Sequence, residues 1–289
     1  MAADRPRLPA LPERAPDANK GDLGSVFVVA GSVGMTGAAS LTAEAAARAG
    51  AGLVFLLCPE ATWGVLAAQL REVLVRPVGP DGAKTLATTA ADDIRAFIER
   101  AGGRRFAVAL GPGVGREPGA AECARTLALS LPHPLVLDAD GLNAFEGRAG
   151  DLAARSAPTI LTPHPGEAYR LAGKFDGRNN EARRDAAVRL ARDTGATVVL
   201  KGRRTVITDG ERTETNETGN PGMATGGSGD VLTGVIAGLV AGGMEAFDAA
   251  RLGAHVHGLA GDIAAREVGE TSLLAGDVLG HLAAAFMSL

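Results

Sequence analysis

Residues 220 to 234 read Asn220-Pro221-Gly222-Met223-Ala224-Thr225-Gly226-Gly227-Ser228-Gly229-Asp230-Val231-Leu232-Thr233-Gly234. A run of small residues ends in one aspartate, and an apolar helical pattern begins directly after it. The glycines leave the backbone free to bring several N–H groups close to a ligand, and the helix start adds unpaired donors and a positive dipole end. This stretch predicts an anion-binding loop made of Gly226, Gly227, Ser228 and Gly229.

Asp230 lies beside this predicted anion site. A carboxylate there would repel a bound phosphate, so a purely structural role does not readily explain it. A catalytic role does explain it, because a carboxylate can remove a proton from a hydroxyl while the neighbouring loop holds the phosphoryl group that is transferred. We therefore predict phosphoryl transfer with Asp230 as the catalytic base. The competing explanation is structural, because aspartate is also a favoured N-cap residue.

The bulk composition narrows the class of protein. The chain has 289 residues, 46% of them hydrophobic, and can bury a large core in one domain or two. Its 29 basic and 33 acidic residues give a net charge of −4, and the sequence lacks the cluster of basic residues that is typical of nucleic-acid-binding proteins. Cys58 and Cys123 lie in apolar or helical contexts far apart, which is typical of buried thiols in a reducing cytoplasm.

The N-terminal residues 1–19 are rich in Pro, Arg and Ala and contain no central apolar stretch, unlike a signal peptide. The longest apolar run, 231–244, is too short to span a bilayer. We predict a flexible segment over residues 1–19. A single domain over 20–289 is expected to follow, because neither an internal repeat nor a linker occurs after residue 20.

Short β-rich runs alternate with longer helical patterns along most of the chain. Strands are predicted at 26–30, 53–57, 106–110, 135–137, 159–161 and 197–200, and helices at 38–49, 63–70, 92–100, 120–130 and 181–194. A hairpin of 205–208 and 212–216 and three helices at 230–241, 246–266 and 272–288 are predicted to follow. This order is typical of an α/β fold with a mostly parallel central sheet and helices on both faces.

Polar or glycine-rich residues follow five of the predicted strands at the point where each strand ends. These clusters begin at Gly31, Gly111, Asp138, Thr162 and Lys201. Because ligands of open α/β sheets bind outside the carboxyl ends of the strands, we expect the five clusters to converge on one site.

Two of the clusters contain carboxylates that suit a metal. Asp138 and Glu167 are the candidate ligands of Mg²⁺ held through water, whereas Asp140 is expected to cap a helix. Glu167 also fits the first turn of a helix that starts at Pro165. That helix does not require a histidine before it, so His164 is expected to contact a ligand.

Together these residues resemble the ADP/ATP-dependent NAD(P)H-hydrate dehydratase family, which has the ribokinase-like fold. The similarity covers nearly the whole chain through motifs at 20–22, 31–32, 37–39, 111–115, 138–143, 162–167, 201–205 and 219–232. Many ribokinase-like enzymes share a glycine-rich strip that ends in Gly-Asp. The string Thr-Pro-His-Pro-Gly-Glu at 162–167 and the string Gly-Asn-Pro-Gly-Met-Ala-Thr-Gly-Gly-Ser-Gly-Asp at 219–230 are much more specific to the dehydratases.

The resemblance implies a repair reaction on damaged nicotinamide cofactors. Family members phosphorylate the ring hydroxyl of the S form of NADH or NADPH hydrate, and loss of phosphate restores the reduced cofactor. ADP is the expected phosphoryl donor and ATP the second candidate, with Mg²⁺ as the cofactor. The resemblance implies that the hydrate contacts Ala38, Gly115, His164 and Asp230. It implies nucleotide contacts at Lys201, Gly202, Arg203, Arg204, Thr205 and Gly229.

The resemblance also implies partners. Relatives often assemble as homotetramers, and in many bacteria the dehydratase is fused behind an epimerase domain. We expect a cytoplasmic homo-oligomer that works with a separate NAD(P)H-hydrate epimerase, because the chain begins with the dehydratase part.

Two other functions are open at this point. A ribokinase-like kinase of a vitamin precursor, of the hydroxymethylpyrimidine, hydroxyethylthiazole or pyridoxal type, would share the fold and the Gly229-Asp230 pair. The loop around His164 argues against such a kinase. A non-catalytic sensor of adenine nucleotides would need no base, so Asp230 argues against a sensor.

Overall fold

The computed structural model describes residues 8–289. Residues 1–7 of the predicted flexible segment lie outside the described residues. Within the rest of that segment, the guanidinium of Arg14 donates a hydrogen bond of 3.3 Å to the carbonyl oxygen of Gly50. This contact ties residue 14 to the chain just after the first helix.

One sheet of nine strands forms the centre of the described structure. The strands are β1 (Ser25–Val29), β2 (Leu53–Pro59), β3 (Leu74–Val78), β4 (Phe106–Leu110), β5 (Leu135–Leu137), β6 (Thr159–Leu161), β7 (Thr197–Leu200), β8 (Val206–Thr208) and β9 (Thr213–Thr215). Their order in the sheet is β3-β2-β1-β4-β5-β6-β7-β8-β9. The first seven are parallel, and β8 and β9 continue the sheet as the predicted antiparallel hairpin.

Helices connect and cover the strands. In the described part of the chain they are α1 (Thr36–Arg48), α2 (Glu60–Gln69), α3 (Ala90–Ala101), α4 (Pro118–Ser130), α5 (Ala139–Asn143), α6 (Pro165–Ala172), α7 (Asn180–Thr194), α8 (Ser228–Ala241), α9 (Ala246–Val268) and α10 (Ala275–Met287). Short 3₁₀ turns occur at Ala149–Ala154 and Pro221–Met223. No helix within residues 8–289 is both long and apolar enough to cross a membrane.

The core has two halves because alternate residues of each strand face opposite sides of the sheet. In β1, Val26 and Val28 belong to the half of the core that includes α1, α8, α9 and α10, whereas Phe27 and Val29 belong to the half that includes α3, α4 and α7. All five residues of β1 are buried, as expected for a central strand of a parallel sheet covered on both faces. The predicted α/β class with a mostly parallel sheet is confirmed.

Two parts of the predicted element order were wrong. Strand β3 was missed because it contains Pro77, which removes a backbone donor, and an edge position is where a strand tolerates this loss. Helix α8 begins at Ser228 and not at Asp230, which moves the aspartate from the predicted helix start into the first turn. The second difference means that Asp230 is not the N-cap of α8.

Candidate functional site

The five polar clusters do meet at one edge of the sheet. Strands β1, β4, β5, β6 and β7 are consecutive neighbours in parallel orientation, so their carboxyl ends lie side by side. Hydrogen bonds also join successive clusters, for example from the Gly31 amide to the Pro112 carbonyl and from the Lys201 amide to the Pro163 carbonyl. The site is therefore built on five neighbouring strands in the middle of the sheet.

A buried ion pair lies at the floor of this edge. The Nζ atom of Lys201 is 2.7 Å from Oδ1 of Asp138 and 4.0 Å from Oε2 of Glu167. Thr233, on α8, donates a hydrogen bond of 2.7 Å to Oδ2 of Asp138. Burial opposes the charge of Lys201, but the carboxylates of Asp138 and Glu167 outweigh this effect and raise the pKa of the ammonium. Lys201 is therefore held as a fixed cation.

His164 is the N-cap of α6. Its Nδ1 atom accepts hydrogen bonds from the amides of Gly166 and Glu167, at 2.9 and 3.3 Å, and Oε2 of Glu167 accepts one from the His164 amide at 2.8 Å. This reciprocal arrangement is a capping box. The histidine that the sequence did not explain thus has a structural role at the helix start.

The capping role also decides which nitrogen of His164 can reach a ligand. Burial, with the nearby cations of Lys201 and Arg170, lowers the pKa of His164, so the ring is neutral near pH 7. Since Nδ1 accepts two amide hydrogens, the single ring proton sits on Nε2. The side chain remains 51% exposed, with Nε2 3.4 Å from Oε1 of Glu167. His164 can therefore offer one N–H donor to a ligand.

The glycine-rich loop ends at the N-terminus of α8. Gly227 is the N-cap and has a left-handed backbone with φ 91°. Within residues 8–289, no acceptor contacts the amides of Gly227, Gly229 and Asp230. These donors and the positive end of the helix dipole form an arrangement that suits an anion.

Asp230 lies in the first turn of α8 and does not cap it, because Gly227 holds the cap position. Its carboxylate accepts no hydrogen bond from the described part of the chain. Burial and the carboxylate of Asp138 raise the pKa of Asp230 to about 7, with Lys201 acting in the opposite direction. A carboxyl group with this pKa can both take up and release a proton near neutral pH.

Lys201 also lies directly beneath the glycine-rich loop. A Cβ atom added to Gly229 would be 3.0 Å from Nζ of Lys201 and 3.9 Å from Oδ2 of Asp138. The ammonium group of Lys201 and the free amides at the start of α8 therefore lie close together, and this part of the site has a positive electrostatic potential.

The loop after β4 lies on the other side of this region. A Cβ atom on Gly113 would be 3.1 Å from Cβ of Ala38 and 2.9 Å from the Met35 carbonyl oxygen, so this loop packs on the start of α1. The amide of Gly115 donates a hydrogen bond of 3.1 Å to Oδ2 of Asp140. The structure thus brings the start of α1, which carries Ala38, next to the loop after β4, which carries Gly115.

The prediction that Asp140 caps a helix was wrong. The N-cap of α5 is Asp138, without a side-chain hydrogen bond to the helix. Asp140 instead binds Gly115 through Oδ2 and Asn143 through Oδ1, the latter at 3.3 Å. Its carboxylate therefore holds the loop after β4 in place.

The loop from Lys201 to Thr205 follows β7 at the same edge. Gly202, Arg203 and Arg204 are exposed, and Arg204 forms an exposed ion pair of 2.9 Å with Glu217. The hydroxyl of Thr205 donates a hydrogen bond of 3.0 Å to the Gly202 carbonyl, which closes the loop on itself. The predicted nucleotide loop thus lies beside the cation of Lys201.

The sequence argument missed several residues that hold the site together. Thr162 contacts Thr233 at 3.5 Å between hydroxyl oxygens, and Thr233 in turn binds Asp138. His257, on α9, donates from Nε2 to the Ser228 carbonyl at 2.9 Å. Burial lowers the pKa of His257 to about 4, so this donor is neutral. Thr233 is a polar residue within an otherwise apolar helix, and this is the feature of the sequence that could have indicated these contacts.

The carboxylates of Asp138 and Glu167 already interact with protein groups, which favours contact with a metal through water. Both oxygens of Asp138 already bind Lys201 and Thr233, and Oε2 of Glu167 binds the His164 amide. Across residues 8–289, no group of three or more His, Cys, Asp or Glu side chains is arranged to hold a metal ion. Water-mediated contact, which Mg²⁺ often uses in proteins, remains compatible with these two carboxylates.

Comparison with known proteins gives the family. A family model described as NAD(P)H-hydrate dehydratase matches residues 26–282. The chain is 43% identical over 274 residues to a bifunctional NAD(P)H-hydrate repair enzyme of Moorella thermoacetica, covering 94% of this chain and 51% of that protein. The chain therefore spans about half the length of the first curated relatives it matches. It is 39% identical to an ADP-dependent (S)-NAD(P)H-hydrate dehydratase of Neisseria meningitidis, covering 92% of this chain and 86% of that protein.

Solved structures agree with this result. An ADP/ATP-dependent NAD(P)H-hydrate dehydratase of Bacillus subtilis, co-crystallised with ATP and Mg²⁺, is similar with a TM-score of 0.79 and 28% identity. The match covers 96% of this chain and 94% of that one. A ribokinase-like superfamily protein of Enterococcus faecalis has a TM-score of 0.80 and 25% identity over 96% and 92% of the two chains. The fold is ribokinase-like, and the chain belongs to the NAD(P)H-hydrate dehydratase family.

Proposed function

We propose that this protein restores NADH or NADPH from the S form of the hydrated cofactor, with ADP, or ATP as the second candidate, as the phosphoryl donor. Family membership and the name of the Neisseria relative support this reaction. The observation that carries the proposal is the position of Asp230. Its carboxylate has a pKa of about 7 and lies in the turn whose amides suit an anion.

In the proposed first step, the ring hydroxyl of the hydrate attacks the terminal phosphorus of the nucleotide. Its proton moves to the carboxylate of Asp230 as the new O–P bond forms. The bond between that phosphorus and its bridging oxygen breaks, which releases AMP from ADP or ADP from ATP. The amides of the Gly226–Gly229 loop and the cation of Lys201 stabilise the charge on the transferring group.

In the second step the phosphorylated ring loses phosphate. The lone pair of the ring nitrogen expels the phosphate as the C–O bond breaks, and the neighbouring ring carbon then loses a proton. The ring double bond is thereby restored. The net change is hydrate plus ADP to NAD(P)H, AMP, phosphate and one proton. Phosphorylation converts a poor leaving group into a good one, which is the reason for consuming a nucleotide.

The hydrate is proposed to bind between the loop after β4 and the start of α6. Ala38 and Gly115 would pack on the flat ring, and the Nε2–H of His164 would donate to an oxygen of the hydrate. Gly115 is hydrogen-bonded to Asp140 and His164 to Glu167. Besides burial, both of these carboxylates raise the pKa of Asp230, which supports the assignment of Gly115 and His164 as substrate contacts. The capping role of His164 keeps its donor in one orientation.

The nucleotide is proposed to bind the loop of Lys201, Gly202, Arg203, Arg204 and Thr205 and the amide of Gly229. Mg²⁺ bound there would spread the negative charge of the phosphates. Asp138 and Glu167 would hold it through water, since both oxygens of Asp138 and Oε2 of Glu167 already accept hydrogen bonds from the protein. The arginines are exposed and would add phosphate contacts at the rim.

The cellular context is proposed as well. Cys58 and Cys123 are buried free thiols, which suits a reducing cytoplasm. We expect a homo-oligomer, with the homotetramer as the first candidate, and light scattering in solution would measure its size. An epimerase that converts the R form of the hydrate to the S form would be the functional partner.

One assay tests the reaction. The purified protein is incubated with hydrated NADH and either ADP or ATP, and the return of the absorbance of reduced nicotinamide is followed. Recovery that requires a nucleotide is the expected result. Consumption of nucleotide with a vitamin precursor, and none with the hydrate, would assign the protein as a kinase instead. Nucleotide binding without any turnover would assign it as a sensor.

A further inference from the structure

Arg183 is a buried arginine beneath the loop of residues 201–205. It lies on α7, is only 4% exposed, and no carboxylate within residues 8–289 pairs with it. Its guanidinium donates to three backbone carbonyls, those of Leu200 at 3.3 Å, Lys201 at 3.2 Å and Arg203 at 2.6 Å. Its buried Nε has no hydrogen-bond partner among the described residues. A buried cation held only by carbonyl dipoles is costly and calls for an explanation.

These contacts decide which way the loop amides point. In a trans peptide the C=O and the N–H of one unit point in opposite directions, and the described chain contains no cis peptide. The peptide unit between Leu200 and Lys201 places its carbonyl toward Arg183 and its N–H away from Arg183. This N–H of Lys201 donates to the Pro163 carbonyl. The same geometry directs the amides of Gly202 and Arg204 away from Arg183.

The amides of Gly202 and Arg204 have no acceptor within the described structure, and both residues are exposed. The loop has an unusual backbone at these two residues, with φ 133° at Gly202 and 58° at Arg204. A Cβ atom on Gly202 would lie 3.1 Å from the guanidinium, so the loop is packed closely on Arg183. Two unpaired outward amides in one tight loop can both donate to the same anion, as backbone amides do in concave anion-binding loops.

We propose that Arg183 is the positioning residue of the nucleotide loop: by binding three carbonyls from below, it turns the amides of Gly202 and Arg204 outward as donors for oxygen atoms of an adenine nucleotide. This inference rests on the proposed function, because it takes the loop as the nucleotide site. Arg183 extends the proposed nucleotide site by a residue that supports the loop without contacting the nucleotide. The uncompensated charge of Arg183 acts in the same direction, since it favours an anion above the loop.

The chain contains a matched control. Arg155 is a second arginine with carbonyl partners, at Leu131 and His133 at 3.1 and 2.7 Å and also at Ala128. It serves the end of α4, away from the loop of 201–205. Substitution of Arg155 therefore removes a similar set of hydrogen bonds without affecting the nucleotide loop.

The test compares Arg183→Gln, Arg183→Lys and Arg155→Lys in the full chain. Calorimetry gives the Kd for ADP without any dependence on the hydrate, and steady-state kinetics give KM for each substrate. Arg183→Gln is expected to raise the Kd and the KM for ADP by about tenfold to a hundredfold, the range for lost hydrogen bonds to a charged group. The KM for the hydrate and kcat at saturating ADP should stay near those of the parent.

Arg183→Lys keeps the charge and some of the donors, so it should recover part of the affinity, and it provides the measurement if the glutamine variant does not fold. Arg155→Lys should lower the melting temperature and leave the Kd for ADP unchanged. The inference is overturned if Arg183→Gln binds ADP as tightly as the parent, or if Arg155→Lys weakens ADP binding equally. A parent protein that binds no adenine nucleotide would overturn the proposed function and this inference with it.

Discussion

The Nζ atom of Lys201 lies 2.7 Å from Oδ1 of Asp138, and these are the first residues after strands β7 and β5. Asp138 is buried, with 1% of its side chain exposed, and Lys201 is mostly buried, with 18% exposed. It fixes two strand ends that flank β6 and leaves the cation beneath the start of α8. This ion pair joins the predicted nucleotide loop to the end of β5, and both of its members act on the pKa of Asp230, the predicted base.

Asp230→Asn is expected to give a folded protein that still binds ADP and is nearly inactive. Asparagine has the same size but cannot accept the hydroxyl proton, and loss of a general base typically lowers turnover by roughly 10²–10⁴-fold. The structure removes the main objection, because Asp230 is not the cap of α8. Single-turnover rates and ADP calorimetry measure the two properties. Turnover within a few-fold of the parent would return Asp230 to a purely structural role.

The activity should depend on pH through Asp230. Its pKa is raised to about 7, so kcat/KM is expected to fall as the pH drops below about 7 and to level off above it. The measurement is a pH profile in which ADP binding is followed separately, since nucleotide affinity should change less. A flat profile between pH 5.5 and 8 (roughly the window around this pKa) would contradict the assignment.

The same group predicts a change in stability. The folded pKa of Asp230 is above its ordinary value, so its favourable contribution is complete below the unfolded pKa and is lost as the pH rises through about 7. Asp230→Asn should therefore be more stable than the parent at pH 8, by roughly 1–4 kcal/mol, and lose this advantage near pH 4. Urea unfolding at both pH values measures the difference. A variant that is less stable than the parent at pH 8 would show that the folded protein does not disfavour the charged carboxylate.

Lys201→Ala is expected to raise the KM for ADP more than the KM for the hydrate. It also leaves the buried carboxylate of Asp138 without its cation, which costs about 3–5 kcal/mol of stability. The control is the double variant Lys201→Ala with Asp138→Asn, which should recover stability without recovering ADP affinity. If ADP affinity is unchanged and hydrate affinity collapses, the nucleotide assignment of this loop is wrong.

His164→Asn should raise the KM for the hydrate with little loss of stability. Asparagine is a good N-cap, so it keeps the bonds to the amides of Gly166 and Glu167 but removes the Nε2–H donor. His164→Ala is the comparison, because it removes both roles and should cost about 1 kcal/mol of stability in addition. Equal hydrate KM values for the parent and the asparagine variant would limit His164 to capping. A stoichiometric zinc lost on substitution would show that it is a metal ligand instead.

Several features could be predicted from local sequence because they depend on neighbouring residues. The alternation of apolar strands and helices indicates a parallel sheet, and a glycine-rich run before an apolar helix indicates an anion site at Asp230. Strand β3 shows the limit of this reasoning. Its Pro77 disfavours a strand by local rules, and only its place at the edge of the sheet makes that strand possible.

Other features depended on contacts between residues far apart in the chain. Asp140 looked like a helix cap because the sequence shows only its local position, yet it binds Gly115 across 25 residues. Thr233 and Arg183 look like ordinary helical residues until the sheet brings them beneath Asp138 and the 201–205 loop. The pKa of Asp230 likewise comes from burial and from carboxylates that follow other strands of the sheet, Asp138 after β5 and Glu167 after β6. The sequence by itself determined the elements and the residue types at their ends, because these follow from local periodicity and backbone freedom. Only the tertiary structure decided the partners and the charge states, because electrostatic and hydrogen-bond energies depend on distance and burial and not on position along the chain.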